Sequence, residues 1–352
     1  MTNFLKIIVT IITAFLLFGC QFGSQGLLPQ EQVNSTDSAY QTSGVDVVNR
    51  DGLVLYEIPS GLVTYNFSFD QNGSLWIGLT NKILVWKPNI SSYTEFSFDS
   101  NFEGRDLLVS NSGDVWVGSS NSYLQQHHND KWYEHNYGSP FITTETGIIW
   151  ASGYKVKTGA CIYRYELATW SEFCPPIDGN SRVFDIAVGP DNLLWVSFST
   201  SDYASNRGVW RFNGENWELV NELSSSNWPV YHLASNPDIN ILWAVGSSNL
   251  SSNETGFVKK YDGENWSTVV NSEPIFDVKI SPDNLLWARS LGYLLRFDNS
   301  SWTKVDPIVQ LNRIFEKEFN LYSFGFNPSG MLCVGTDKGV ACENSLNFFS
   351  NK

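Results

Sequence analysis

The chain has 352 residues, of which 42% are hydrophobic and 15% aromatic, and its formal net charge is -14 at pH 7. Binding along a phosphate backbone needs clustered Lys and Arg, so this acidic balance predicts no nucleic-acid partner and disfavours an anionic membrane surface. No long amphipathic helical period is evident, so the aromatic and β-branched residues belong to strand-like segments, and we expect an all-β protein.

The first 19 residues have the pattern of a secretory signal, with Lys6 followed by an apolar run from Ile7 to Phe18. The run is shorter than the roughly 20 residues that a membrane-spanning helix needs. It leads into Leu-Phe-Gly before Cys20, which resembles the lipobox of bacterial lipoproteins. The resemblance implies that residues 1–19 are removed and that Cys20 carries a lipid. The expected location is then the extracytoplasmic side of a bacterial cell envelope, with the membrane as a lipid-mediated partner.

Residues 20–44 predict a flexible tether. They are rich in Gln, Ser, Thr and Gly and contain too little apolar surface to fold alone. We therefore expect the folded domain to cover residues 45–352.

Near copies of one stretch divide this domain. The first copy reads NGSLWIGL from Asn72 to Leu79, and its central position returns at steps of 40, 34, 45, 48, 44 and 46 residues. That position is occupied by Trp76, Trp116, Trp150, Trp195, Trp243, Trp287 and Cys333. Periods of this size are typical of propeller blades or solenoid units, and the count gives seven units.

The fourth unit shows the strand pattern most clearly. Its apolar alternating segments VFDIAV, LLWVSF, GVWRF and WELVNE are separated by turns rich in Asp, Asn, Gly and Pro. Four antiparallel strands in each of seven units predict a seven-bladed β-propeller of four-stranded blades. We expect each repeat Trp to pack between blades.

The repeat D/N-x-x-G/N-x-L-W-I/V-G, followed by G-V/L-x-R-F/Y-x-G-x-x-W, resembles the two-component-regulator propeller repeat of extracytoplasmic sensors, over about residues 62–352. The resemblance implies the seven-bladed fold and leaves the ligand open. Two departures stand out. Blade two has SYLQQHH in place of the G-V-x-R-Y segment, and blade seven has Cys333 in place of its Trp.

Two segments compete to close the ring, which would otherwise leave an exposed strand edge. The segment DGLVLYEIP, Asp51 to Pro59, aligns with outer-strand segments such as DGENWSTVV, and SLNFFSNK lies at the C-terminus. We favour pairing of the N-terminal segment with blade seven.

The four cysteines other than Cys20 are arranged as two symmetric pairs. Cys161 and Cys174 lie at equal distances from the turn between two strands of blade three, and Cys333 and Cys342 do the same in blade seven. Residues directly opposite in an antiparallel pair are close enough for a disulfide. We predict both bridges; the alternative is four buried thiols.

A polar residue precedes each repeat Trp or Cys by ten positions, or by eleven in blade five, except in blade three. It falls near the start of the innermost strand, where blades converge on the central channel. Several oxygen ligands around one point suit a cation such as calcium; the alternative is that these side chains bond backbone amides and channel waters. The ring consists of Asn66, Asp106, Asp185, His232, Asp277 and Ser323, and Pro140 interrupts it in blade three.

Blades three, four and five have the long loops between their second and third strands. Because these blades are neighbours, the loops gather aromatic and hydrogen-bonding side chains on one sector of one face, as a sugar or peptide site requires. The alternative is solvated variation without a ligand. The candidate residues are Tyr154, Lys155, Lys157, Tyr203, Arg207 and Trp228.

The sequence contains no catalytic motif, and neighbouring histidines such as His127 and His128 on a strand point to opposite faces. We therefore expect a lipid-anchored monomer that binds a carbohydrate, a peptide or an envelope protein without catalysis. The alternative is a metal-dependent lyase or hydrolase acting at the channel mouth. Calcium is the one cofactor that the polar ring suggests.

Overall fold

A computed structural model describes residues 31–32, 40–41, 47–98, 102–118, 124–138, 140–143, 147–155, 159–177, 181–200, 208–223, 229–236, 239–246, 257–269, 274–298, 300–344 and 349. The described strands form seven antiparallel sheets, and the predicted seven-bladed propeller is confirmed. In blades one to six the four main strands follow one another in chain order from the channel outwards.

Blades one to three follow this order. Blade one consists of β5 (Asn66–Phe69), β6 (Leu75–Leu79), β7 (Lys82–Trp86) and β8 (Tyr93–Ser97). Blade two consists of β9 (Asp106–Val109), β10 (Val115–Gly118), β11 (Leu124–His128) and β12 (Lys131–His135). Blade three consists of β13 (Pro140–Thr143), β14 (Ile149–Lys155), β15 (Gly159–Glu166) and β16 (Thr169–Phe173).

Blades four to six repeat the arrangement, and in blade four a 3-10 turn, Asn221–Leu223, ends the outer strand earlier than the sequence predicts. Blade four consists of β17 (Ser181–Val188), β18 (Leu194–Thr200), β19 (Gly208–Phe212) and β20 (Trp217–Leu219). Blade five consists of β21 (Val230–Asn236), β22 (Ile241–Gly246), β23 (Phe257–Tyr261) and β24 (Trp266–Val269). Blade six consists of β25 (Asp277–Ile280), β26 (Leu286–Arg289), β27 (Leu294–Phe297) and β28 (Trp302–Val305).

The N-terminal segment closes the ring, as predicted. Blade seven contains β29 (Leu321–Phe326), β30 (Leu332–Thr336) and β31 (Gly339–Glu343), and β4 (Leu53–Glu57) pairs with β31 as its fourth strand. A fifth strand, β3 (Val47–Arg50), pairs outside β4. Leu53 and Leu55 are fully buried in the blade-seven core, so the closing strand is held by apolar packing as well as by its hydrogen bonds.

Two short pieces of the predicted tether also pair with blades. The backbone of β1 (Glu31–Gln32) lies against β12, and that of β2 (Tyr40–Gln41) lies against β8. These pairings add fifth strands at the outer edges of blades two and one.

The repeat tryptophans pack between blades, which confirms that the repeat is architectural. All six are 1–8% exposed. Trp76 of blade one lies in a core cluster with Val115 and Val117 of blade two, and the other five pack in the same way against the following blade. Cys333 takes this place in the cluster that joins blade seven to blade one. We call this set of tryptophans and the side chains packed on them the inter-blade layer.

Both predicted disulfides are present, one in blade three and one in blade seven. Cys161 and Cys174 have a Cα–Cα distance of 4.3 Å, and Cys333 and Cys342, which are directly opposite in the β30–β31 register, have one of 4.0 Å. The symmetric placement about a hairpin turn was therefore sufficient to predict the pairing.

A short helix, α1 (Pro307–Phe315), joins blades six and seven and was not predicted. The Asp306 side chain accepts a hydrogen bond from Val309 N at 3.2 Å and caps the helix, and Pro307 occupies its first position. Leu311, Ile314 and Phe315 lie on its buried face. Nine residues are too few for the long amphipathic period that sequence inspection seeks. Among the described residues, no helix is long and apolar enough to span a membrane.

Candidate functional site

The six polar residues of the predicted ring occupy equivalent positions. Each lies directly opposite the residue two places after the repeat Trp or Cys, as in the pairs Asn66–Gly78 and Asp277–Arg289. The remaining pairs are Asp106–Gly118, Asp185–Ser197, His232–Val245 and Ser323–Gly335. The constant register places all six at the same level of the channel, at the end where the inner strands begin, which we call the mouth.

The ring residues line one central cavity of about 1340 Å³. The next residue along each inner strand is apolar and buried, so the polar groups line the cavity while their neighbours pack between blades. Blade three differs, as its sequence predicts: Pro140 is opposite Ala151, one position from the common register. The mouth is therefore a polar ring interrupted once.

Two ring residues use their oxygens to hold the backbone. Asp185 Oδ1 accepts a hydrogen bond from Ile186 N at 2.8 Å, and its Oδ2 accepts one from Leu233 N of the next blade, also at 2.8 Å. Asn66 Oδ1 accepts from Phe67 N at 2.8 Å. These two residues therefore bond backbone amides, which is the alternative to a cation site that the sequence left open.

His232 lies between carboxylates. Its Nδ1 is 3.7 Å from Asp185 Oδ2, and the ring remains 29% exposed at the mouth. Desolvation acts to lower the pKa of His232, but the attraction of Asp185 and Asp277 for its proton outweighs desolvation, and the pKa is raised above its usual value. His232 therefore favours its cationic form more strongly than an exposed histidine does.

Arg289 is a mouth residue that the sequence analysis missed. It lies opposite Asp277 in the register and lines the cavity, with its guanidinium stacked 5.7 Å from the centre of the Phe276 ring. Its Nε has no hydrogen-bond partner among the described residues. Burial lowers the pKa of Arg289 and Asp277 opposes that shift. In the other ring pairs this position holds Gly, Ser or Val. The arginine in blade six departs from that pattern, and this departure could have identified Arg289 from the sequence.

An aromatic rim surrounds the mouth and was also missed. The residue directly before each ring residue is aromatic in five of the six blades and Arg in the other. In blades four, five and seven it is the unpaired residue of a β-bulge, a device that re-aims side chains near sites. The rim consists of Tyr65, Arg105, Phe184, Tyr231, Phe276 and Tyr322.

The rim side chains make ring contacts with one another and with the cation among them. Phe184 and Tyr231 lie 4.9 Å apart, and Arg105 is stacked 5.4 Å from the centre of the Tyr65 ring. Tyr322 is 39% exposed. The position eleven residues before the repeat Trp or Cys, or twelve in blade five, could therefore have been predicted from the sequence as a second ring.

Ser323, by contrast, contributes to the wall of the mouth more than to its chemistry. It is 5% exposed, and a side chain added at Gly335 would collide with its Oγ. Among the described residues, the group of three metal-ligating side chains with ligand atoms within 4.8 Å of one another is Cys161, Glu172 and Cys174, and its two cysteines are bonded to each other. Calcium at the mouth stays a prediction.

The predicted loop site falls largely outside the described residues. Lys157, Tyr203, Arg207 and Trp228 lie outside them altogether. Tyr154 and Lys155 end β14, and for these two residues only the backbone is described. Cys20 and the predicted signal also lie outside the described part of the chain.

The sequence profile of the Rax2 C-terminal beta propeller domain matches residues 158–281, which is less than half of the chain. No curated protein matches the sequence. Similarity to that profile is therefore confined to blades three to six.

Several solved structures share the fold. Virginiamycin B lyase from Staphylococcus aureus with quinupristin has a TM-score of 0.61 and 15% identity, over 82% of this chain and 98% of the lyase. The extracellular domain of a putative one component system from B. thetaiotaomicron has a TM-score of 0.61 and 14% identity, over 84% of this chain and 40% of that one. YCF48 bound to D1 peptide has a TM-score of 0.59 and 14% identity, over 86% and 100%. The resemblance to sensor propellers is confirmed at the level of the fold.

Proposed function

We propose that the protein is a binding propeller that performs no catalysis and takes a polar ligand at the mouth of its central channel. The observation that carries the proposal is the cavity of about 1340 Å³, which combines a polar ring, an aromatic rim and the guanidinium of Arg289. Concave sites with aromatic walls and a few convergent polar groups are the usual form of ligand pockets. Carbohydrate, peptide and envelope-protein ligands are the classes that such a mouth suits.

The proposed location is the extracytoplasmic face of a bacterial envelope, with a lipid on Cys20. The two disulfides support an oxidising compartment. A neighbour in fold is an extracellular domain, and another was solved with a peptide bound, so both features have precedent in propellers. A Cys20→Ser variant tests the anchor: it should leave the membrane fraction, whereas retention there at the wild-type level would contradict lipid attachment.

Array binding tests the function directly. The full chain, purified in a non-ionic detergent, should bind members of a glycan or peptide array. Tyr322→Ala or Asp277→Asn should weaken that binding. Leu167→Ala is the control, because Leu167 is an exposed turn residue far from the mouth, and it should leave the binding unchanged. If neither mouth substitution changes the binding, or if the purified protein turns over a bound compound, the proposal is contradicted.

A divalent-cation-dependent lyase or hydrolase is the alternative. The observation that favours it is the placement of His232 beside Asp185 at the mouth, because a histidine held by a carboxylate can move protons. Calcium that binds only the folded state at 100 times its dissociation constant stabilises by about 2.7 kcal/mol. Thermal melting with calcium and with EDTA distinguishes the binding propeller from the metal-dependent enzyme. A melting midpoint that is unchanged in both conditions excludes the enzyme.

A further inference from the structure

Arg289 is unusual for its position in the repeat. The five residues equivalent to it are small or apolar and allow the sheets to converge on the channel. Arg289 is partly buried and lines the cavity opposite Asp277. A guanidinium in this place can donate hydrogen bonds to a ligand in the channel.

Arg289 and His232 are two cationic side chains of the cavity wall with which an anionic ligand group can pair. Asp185, the nearest carboxylate to His232, already accepts hydrogen bonds from backbone amides through both oxygens. Asp277 then faces two cationic side chains, Arg289 and His232. The planar guanidinium fork matches a carboxylate with two parallel hydrogen bonds, which is the strong geometry for such a pair.

The rim adds flat apolar faces to this anchor. Phe184 of blade four lines the cavity with Tyr231 of blade five packed against it, and Tyr322 presents a partly exposed ring on blade seven. Sugar rings offer C–H faces that pack on aromatic rings, and their hydroxyls are donors for carboxylates such as Asp106 on the cavity wall. A peptide strand would instead need backbone donors along the inner strands, and Leu233 N is already bound by Asp185.

We propose that the mouth binds a carboxylated sugar, with its carboxylate on Arg289 and its ring on the aromatic rim. This rests on the proposed binding function and deepens it by naming the ligand class. Sugar acids remain ionised near neutral pH, so the charge that Arg289 recognises is present. Arg289 is then the residue that distinguishes acidic from neutral sugars.

Isothermal titration calorimetry with the full chain in non-ionic detergent tests the assignment. The probes are oligomers of galacturonate, glucuronate and mannuronate, with the neutral oligomers of galactose, glucose and mannose as references. At least one acidic oligomer should bind, and its neutral counterpart should bind about 10- to 100-fold more weakly, the range expected for hydrogen bonds to a charged group.

Substitution of Arg289 supplies the matched comparison. Arg289→Gln should lower the affinity for the acidic oligomer by the same factor and leave any neutral binding unchanged. Arg289→Lys keeps the positive charge but loses the planar fork of donors. Its affinity for the acidic oligomer should therefore lie between those of the wild type and Arg289→Gln. Arg296→Gln is the control, because Arg296 lies on the adjacent strand over Trp287, 5.9 Å from its ring centre, and does not line the cavity. It should bind like the wild type.

Each contrary outcome has a distinct meaning. Equal binding of acidic and neutral oligomers, or binding of the acidic oligomer that Arg289→Gln leaves intact, overturns the inference while the mouth remains a binding site. Binding of peptides with no acidic oligomer in the panel overturns the sugar class. If neither sugars nor array peptides bind, the proposed function falls together with the inference.

Discussion

The inter-blade layer and the mouth treat the same residue type in opposite ways, as His135 and His232 show. His135 is 4% exposed in the layer. Trp170 Nε1 donates to its Nδ1 at 3.0 Å, so Nε2 carries the proton and donates to Gln126 Oε1 at 3.0 Å. Gln126 Nε2 in turn donates to Asp114 Oδ2 at 3.0 Å. Every polar atom of this imidazole is satisfied by the protein.

The mouth instead places charged side chains along the channel wall. His232 is partly exposed between two carboxylates with its pKa raised, whereas desolvation lowers the pKa of His135 to about 4. Arg289 adds a guanidinium that lines the cavity. The His135 network fixes how blades two and three pack, whereas the charged side chains of the mouth border an open cavity that a ligand can enter. The difference separates scaffold from site within one fold.

The largest expected contrast is between aromatic residues of the two regions. Trp195 is 1% exposed and its Nε1 donates to Asp191 Oδ1 at 2.9 Å. Trp195→Ala should lower the free energy of unfolding by about 3–5 kcal/mol, because it opens a cavity between blades. Tyr322→Ala, at the exposed rim, should lower it by less than about 1 kcal/mol. Urea denaturation measures the free energy of unfolding of both variants. Equal decreases in the two variants would contradict the distinction between the inter-blade layer and the mouth.

The second largest expected effect is the loss of stability at acid pH caused by His135. Between pH 6.5 and about 4 the unfolded chain takes up a proton at His135 that the folded chain does not, so the free energy of unfolding falls as the pH falls. The loss attributable to His135 is roughly 3 kcal/mol over this window. His232 acts in the reverse sense: its contribution is present below its unfolded pKa and is lost as pH rises through the raised folded value.

A His135→Gln variant isolates this effect. It lacks the titrating group, so its stability should change less with pH between 6.5 and 4 than that of the wild type, whatever its stability at neutral pH. Urea denaturation at half-unit pH intervals gives the two slopes. Parallel slopes would show that His135 is not the buried neutral group described above.

The smallest effect tests Asp185, the ring residue whose carboxylate accepts a hydrogen bond from the next blade. Asp185→Asn keeps the side-chain size but can present an N–H to Leu233 N, so it should lower the free energy of unfolding by about 1–2 kcal/mol. Hydrogen exchange at the Leu233 amide should become faster. Asp277→Asn is the control, because among the described residues the Asp277 carboxylate binds no backbone amide. An unchanged Leu233 exchange rate in Asp185→Asn would contradict the bond between blades.

Repetition explains what could be predicted from the sequence. A constant interval fixed the Trp positions, the strand order and the register of the polar ring, because equivalent residues in a radial repeat reach equivalent places. The disulfides followed from symmetry about a turn. Local features that obey no repeat were missed: helix α1, and Arg289, which departs from its five counterparts. The contact between His135 and Trp170 joins residues 35 apart in neighbouring blades and has no sequence pattern.

The imidazole resonances test the central claim most directly, because three of the four histidines lie in blade two and the fourth, His232, lies at the mouth. Heteronuclear NMR of the full chain should be recorded while the acidic oligosaccharide that binds in calorimetry is added. The account predicts that the His232 signals shift and saturate while those of His127, His128 and His135 stay in place. Saturable binding that leaves His232 unmoved would contradict the assignment of the mouth as the site.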